Sequence, residues 1–231
     1  MPDGMALFEM LLRWIHFLAG ITWIGLLYFF NLVNVPLMKA LDGPTKGKVI
    51  PELLPRALWW FRHGAWVTVL VGFIYYYIII SIEPNHGRVL GVWLILSVLA
   101  WVGVSALLRP SKGALNKGNV LAVAISVLAL VLCVLLVKLN GGEGHSSRGI
   151  SVGLGGALGM IMLLNVWGII WRNQKKIIAW TIDNATKGTP VPPESAALAR
   201  QAFLASRTNF WLSIPMLFFM GAASHLPIFG R

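Results

Sequence analysis

Six long apolar runs, separated by short polar connections, make up most of this 231-residue chain. Each run is close to the length of about 20 residues that an α-helix needs to cross the hydrocarbon core of a bilayer. The runs lack the period-two alternation of barrel strands and are longer than such strands. The pattern therefore predicts an all-α bundle of six transmembrane helices in a single integral membrane domain over 1–231. The predicted spans lie roughly at 10–35, 57–81, 89–108, 119–138, 150–171 and 209–229.

The basic residues are distributed unevenly between the two ends of the predicted bundle. Fourteen of the 19 Lys and Arg residues lie in three alternate connections, 36–62, 109–118 and 172–208. Because cytoplasmic loops are enriched in Lys and Arg, both termini are predicted to face away from the cytoplasm. Within the third connection, 173–188 mixes apolar and basic residues and is predicted to lie on the membrane surface. A helix is predicted to begin at Glu194 and to continue into the sixth run.

Composition agrees with a membrane protein and argues against several other classes. Hydrophobic residues make up 57% of the chain and charged residues only 12%. A soluble domain is about a quarter charged. The net charge of +11 is explained by the basic connections, and no basic face interleaved with aromatic residues points to nucleic acid. Cys133 is the only cysteine, and there is no C-x-x-C-H motif, so no covalently attached c-type haem is expected in this chain.

Three of the five histidines lie within or at the edge of apolar runs, where a buried imidazole needs hydrogen-bond partners or a metal ion. His16 and His225, in the first and last runs, both lie within roughly 5–15 Å of the same membrane surface at 1.5 Å per residue. A glycine lies one turn toward the membrane interior from each of them, at Gly20 and Gly221. This pattern predicts a b-type haem with His16 and His225 as axial ligands of the iron and Arg13 as the partner of a propionate.

These residues also have a second interpretation, in which the glycines serve helix packing and the histidines are hydrogen-bonded interface residues. A further polar set lies at the opposite ends of the runs, where amides either brace neighbouring helices or line a small-molecule or headgroup site. His63, beside Arg62 at that end, belongs either to an interfacial aromatic and basic belt or to a second cofactor site. No arrangement of catalytic side chains stands out. The polar set comprises Asn31, Asn34, Asn165, Arg172, Asn173, Ser206, Arg207, Thr208 and Asn209.

Three stretches of the chain resemble the membrane domain of PuuD-type urate hydroxylases, which is also called the urate oxidase N-terminal domain. They are RWIHFLAGITWIG (13–25), LLNVWGIIWRNQ (163–174) and ASRTNFWLSIPMLFFMGAASHLP (205–227). Matching positions include His16 of the RW-x-H motif, the stretch 206–209 and His225 of the S-H-x-P ending. The resemblance implies a multi-pass protein of a bacterial inner membrane that oxidises urate toward 5-hydroxyisourate and passes electrons to cytochrome c. In such a membrane, termini that face away from the cytoplasm lie in the periplasm.

Full members of that family carry a C-terminal cytochrome c domain with a C-x-x-C-H motif, which this sequence does not contain. The expected partner is therefore a separate cytochrome c, or a cytochrome-containing subunit of a larger membrane complex, in addition to membrane lipid. The function expected from these observations is that of a haem b electron-transfer or oxidoreductase subunit. The alternative is a non-catalytic accessory transmembrane subunit of a larger respiratory or photosynthetic complex.

Overall fold

The computed structural model describes residues 3–109, 117–142 and 144–230, and nearly all of these are helical. Two π-helical segments, Phe29–Asn34 and Val166–Ile170, join α1 to α2 and α6 to α7 without a break in the helix. The described residues contain no strand, so the predicted all-α bundle is confirmed. The α-helices are Gly4–Tyr28 (α1), Val35–Ala40 (α2), Gly43–Ile80 (α3), His86–Leu107 (α4), Gly118–Asn140 (α5), Ser147–Asn165 (α6), Trp171–Lys187 (α7) and Ser195–His225 (α8).

Among the described residues, five helical stretches are long and apolar enough to cross a membrane, and large apolar side chains such as Ile21 and Val123 are exposed on their outer faces. The sixth predicted span corresponds to α8, which is 31 residues long but less apolar than the other five. Its polar residues Asn209 and Ser213 are fully buried against neighbouring helices, so they lower its hydropathy without facing lipid. The five stretches are Gly4–Ala40, Gly43–Ile80, His86–Leu107, Gly118–Asn140 and Ser147–Lys187.

The bundle has a basic end, where the connections 36–62 and 172–208 lie, and a terminal end, where α1 begins and α8 ends. At the basic end the helices extend well beyond the apolar runs. Helix α3 already begins at Gly43, and Pro51 and Pro55 lie inside it. Its first turn is capped by Asp42, whose Oδ1 accepts a hydrogen bond from the backbone N–H of Thr45 at 2.9 Å. Most of the connection 109–118 lies outside the described residues.

Helix α6 is the central element, because it packs against α3, α4, α5 and α8. Helices α1, α3, α6 and α8 form a ring of neighbours, in which α1 contacts both α3 and α8. Gly153 shows how closely α6 is packed, since a Cβ there would lie 2.8 Å from the hydroxyl of Tyr76. The carbonyl of Gly153 also accepts a hydrogen bond from Nε1 of Trp93, at 2.7 Å. Small residues at such positions let helices approach closely, and the close approach fixes α3 and α4 on α6.

Candidate functional site

His16 lies at the interface between α1 and α3, near the terminal end, and its side chain is partly buried. Its Nδ1 lies 2.9 Å from the backbone oxygen of Thr68. Because a carbonyl oxygen only accepts, Nδ1 must carry the proton, and Nε2 of the neutral ring is left with a free lone pair. Imidazoles that bind metals commonly donate their other N–H to a backbone carbonyl in this way. His16 therefore has the hydrogen bonding of a metal ligand whose binding atom is Nε2.

The space for the His16 ring is supplied by Gly72 of α3. A Cβ at Gly72 would lie 2.8 Å from Cε1 and 2.9 Å from Nδ1 of the imidazole, which is closer than such atoms approach. Gly20, the glycine predicted to adjoin the cofactor, faces Thr68 across the same interface. A Cβ added at Gly20 would lie 3.7 Å from the methyl carbon of Thr68. Sequence reasoning missed Gly72 because the contact joins two helices rather than two turns of one.

His225 is the last residue of α8, and both it and Gly221 are exposed. No neighbouring atom lies within 4 Å of a Cβ added at Gly221, so there is open space beside this face of the helix. The side chain of His225 has no hydrogen-bond partner among the described residues. Its imidazole is therefore available to an added ligand, although nothing in the described structure holds the ring in one orientation.

The contact between α1 and α8 is compatible with similar depths for His16 and His225. The hydroxyl oxygens of Tyr28 and Ser213 lie 3.2 Å apart, which aligns the two antiparallel helices at that level. His16 stands twelve residues before Tyr28, and His225 stands twelve residues after Ser213. At 1.5 Å per residue, both histidines lie about 18 Å from this contact, toward the terminal end. No direct contact joins the two imidazoles in the described structure.

Arg13, the predicted propionate partner, lies beside Tyr75 of α3, with its guanidinium carbon 5.6 Å from the ring centroid. Arg148, at the start of α6, lies 5.7 Å from the same ring and donates a hydrogen bond to the Tyr75 hydroxyl. Within the described ranges, neither guanidinium pairs with a carboxylate. The sequence did not single out Arg148, because it lies in a glycine-rich connection and only the packing of three helices brings it near Arg13. Two positive charges therefore converge at the terminal end.

The polar residues predicted for a second site are only partly brought together at the basic end. Asn165 donates a hydrogen bond from Nδ2 to Oδ1 of Asn209 at 2.9 Å, and Asn209 donates to the carbonyl of Met162 at 2.9 Å. These bonds brace α6 against α8. Arg207 lies instead between the rings of Phe203 and Phe210, 5.5 and 5.6 Å from their centroids.

His63 lies in a cluster of aromatic and basic side chains on α3 and α7. Its Nδ1 lies 2.7 Å from the backbone oxygen of Trp59, and its ring centroid is 4.4 Å from that of the Trp59 side chain. The guanidinium carbon of Arg62 lies 3.8 Å from the ring centroid of Trp171. In the ranges that the structure describes, no three His, Cys, Asp or Glu side chains form a metal-binding group.

A cavity of about 100 Å³ lies at the basic end between the first π-helical segment, α3, α7 and α8. Asn31 and Asn34, both in that π-helical segment, border the cavity together with Ser206 of α8. The sequence placed the two asparagines at this level of the first run. The π-helical turn that orients them was not predicted, because its backbone geometry leaves no pattern in hydropathy.

A family model described as urate oxidase N-terminal matches residues 40–230. The chain belongs to this family. The family resemblance that the sequence motifs indicated is therefore confirmed, and the matched range includes Arg207, Asn209 and His225. The match begins at residue 40, after α1, so Arg13 and His16 lie outside the matched range. No curated protein and no solved structure matches the chain.

Three observations on this urate oxidase N-terminal chain bear on whether its residues fit a b-type haem. The Nε2 atom of His16 is free for a metal while Nδ1 is held by a backbone carbonyl. No atom lies within 4 Å of a Cβ added at Gly221, so this exposed face of α8 is open to an added group. Arg13 and Arg148 supply positive charge for the carboxylates of such a group. In the chemistry of their donor and charged groups, these residues are of the kind that hold a haem.

Proposed function

We propose that this member of the urate oxidase N-terminal family is the b-type haem electron-transfer subunit of an oxidoreductase in a bacterial inner membrane. Its termini would face the periplasm, where a cytochrome c or a cytochrome-containing subunit receives the electrons. The observation that carries the proposal is the hydrogen bond between Nδ1 of His16 and the carbonyl of Thr68. It favours the tautomer with the proton on Nδ1, which leaves Nε2 as the atom that would bind the iron.

Each residue near the terminal end has a defined part in this proposal. His16 and His225 would ligate the iron from two helices, and Arg13 and Arg148 would pair with the propionates. The carbonyl of Thr68 orients the His16 ring and raises the basicity of Nε2, as outer hydrogen bonds do for metal-ligating imidazoles. When bound, the haem supplies one-electron oxidation and reduction. Placing the cofactor at this end keeps it near a soluble cytochrome.

Family membership suggests urate as the electron donor. Conversion of urate and water to 5-hydroxyisourate releases two electrons and two protons, so two one-electron transfers to a cytochrome would complete one turnover. We assign no described residue a catalytic role in the hydroxylation. The proposal therefore concerns the electron-transfer step of this chain.

The test is a pyridine haemochrome spectrum of the chain purified from membranes, together with a reduced-minus-oxidised difference spectrum. We expect a b-type band in the wild-type chain and its loss in both His16→Leu and His225→Leu. His86→Leu, which changes a histidine at the start of α4, is the matched control and should keep the band. A wild-type chain without haem would overturn the proposal and favour the accessory-subunit alternative. Urate-dependent reduction of added cytochrome c tests the donor separately.

A further inference from the structure

The cavity at the basic end contains buried polar atoms that lack partners. Asn31 is 3% exposed and donates hydrogen bonds from Nδ2 to the carbonyl of Leu27 at 2.9 Å and to the hydroxyl oxygen of Ser206 at 3.0 Å. Because the Leu27 carbonyl only accepts, the orientation of the Asn31 amide is fixed, and Oδ1 is its free acceptor. Oδ1 of Asn31 and Oδ1 of Asn34 are both buried without a hydrogen-bond partner. Leaving buried acceptors unpaired costs free energy, which a donor group in the cavity would recover.

The two π-helical segments found in the described residues both border this cavity. The first contains Asn31 and Asn34, and the second contributes Ile170 to the opposite wall. π-helical turns are rare, and they occur frequently at functional sites. Here the two π-helical segments lie at the same cavity as the unpaired amide oxygens.

The remaining wall defines the chemistry of an occupant. Phe30, Phe61 and Phe203 line the cavity, and a flat ring packs well against aromatic side chains. The described residues that line the cavity include no Asp, Glu, Lys, Arg or His, which favours an uncharged ligand. A dry cavity of about 150 Å³ admits benzene, so about 100 Å³ limits the enclosed part of a ligand to a single small ring.

We propose that this cavity binds a small, uncharged, planar ring that donates hydrogen bonds to Oδ1 of Asn31 and Oδ1 of Asn34. Two sources supply such a ring: the hydroquinone headgroup of a membrane quinol, which would enter from lipid, and a neutral lactam heterocycle from the aqueous phase. The site is independent of the haem proposal. Asn31 lies fifteen residues from His16 along α1 and the π-helical segment, toward the opposite end of the bundle.

The test measures equilibrium binding of three ring probes to the full-length chain in detergent. The probes are hydroquinone kept reduced with ascorbate, uracil, and 1,4-dimethoxybenzene as a ring without donors. We expect saturable binding of hydroquinone or uracil, or of both, and no saturable binding of 1,4-dimethoxybenzene. Binding of hydroquinone alone identifies the lipid source, and binding of uracil alone identifies the aqueous source.

Two variants test the geometry. The side chain of Asn34 has no hydrogen-bond partner among the described residues, so Asn34→Leu removes an acceptor without breaking an existing bond, and we expect the dissociation constant to rise about tenfold. Ala202 is buried and lines the cavity. The larger side chain in Ala202→Leu should fill the cavity, and binding should be lost. Ala199→Leu, on the exposed face of the same helix, is the control and should bind normally.

Three results would overturn the proposal. One is equal binding of all three rings, which would identify an apolar void that does not use the amides. Another is the absence of binding by either donor probe to a folded wild-type chain, which would leave a cavity filled by water. The third is unchanged binding in both Asn34→Leu and Ala202→Leu. A normal haem spectrum in the same preparation separates each of these results from a failure of the haem proposal.

Discussion

The imidazole of His16 fills the space that a side chain at Gly72 would need, because a Cβ there would lie 2.8 Å from Cε1 of the ring. Because Gly72 has no side chain, the imidazole of His16 can reach the Thr68 carbonyl. Glycine and histidine act as a pair across the interface, and neither residue alone specifies the position of the ring.

Replacing Gly72 by alanine tests this pairing. The added methyl group must displace the ring or separate α1 from α3, and overpacking of this kind costs about 1–3 kcal/mol. We expect a lower thermal midpoint and, in chain purified with haem, a smaller haem content per chain. Gly91→Ala, at a helical position with no neighbour within 4 Å, is the control and should be neutral or stabilising. Equal effects of the two substitutions would contradict the pairing.

Gly221 gives a test in the opposite sense. Its side-chain position is open, so Gly221→Leu should leave the thermal midpoint of the haem-free chain unchanged or raise it. If the open space receives the macrocycle, the same substitution should reduce the haem content per chain severalfold. Haem content and the melting midpoint of haem-free protein are measured side by side. Full haem content in Gly221→Leu would exclude this face of α8 from the cofactor site.

The number and approximate place of the long helices could be predicted from hydropathy alone, because each crossing segment is a long apolar run. Their ends could not. The first two turns of α3, GPTKGK, contain no large apolar residue, so hydropathy did not indicate that the helix begins at Gly43. Conversely, α8 is less apolar than the other spans because Asn209 and Ser213 are buried against helices and need no apolar character.

The candidate site was predictable only where it depends on position along one helix. His16 and His225 were expected at a common depth, and the Tyr28–Ser213 contact is compatible with that register. The partners of these residues lie on other helices, and a single sequence does not show which helices are neighbours. Arg148 beside Tyr75 therefore became visible only after the chain was folded.

The Asp42 cap makes the start of α3 sensitive to acid. Hydrogen bonds from the side chain and the backbone N–H of Thr45 hold the pKa of the Asp42 carboxyl below its ordinary value of 3.8. The cap therefore contributes stability above the unfolded-state pKa and loses it as the pH falls through the lower folded-state pKa. Because the intrinsic exchange rate itself changes with pH, we expect the loss of the cap to appear as a smaller protection factor for the Thr45 amide below that pH. In Asp42→Asn, whose amide oxygen accepts at all pH values, the acid-dependent step should be absent, and its persistence would assign the step to another group.

Asn209 forms the centre of the brace between α6 and α8. Asn209→Leu removes both the acceptor for Asn165 and the donor to Met162, whereas Asn165→Leu removes one bond. We expect the first substitution to lower the free energy of unfolding by about 1–3 kcal/mol and the second by less. A double-mutant cycle should give a coupling of about 0.6 kcal/mol, the average for hydrogen bonds between membrane helices. Strict additivity would show that the two amides act independently.

Arg13 and Arg148 should control the reduction potential of a haem at the terminal end. Positive charge near the propionates disfavours the oxidised iron, which carries one more positive charge than the reduced form, so each arginine raises the potential. Arg13→Gln and Arg148→Gln should each lower the midpoint potential, and the double variant should lower it further. Arg88→Gln is the matched control, since Arg88 lies at the same end but contacts the carbonyl of Leu139 rather than Tyr75. Redox titration followed at the b-type band measures all four proteins against wild type. Equal shifts in Arg88→Gln and Arg13→Gln would mean that the potential responds to the overall charge of this end and not to the two guanidinium groups around Tyr75.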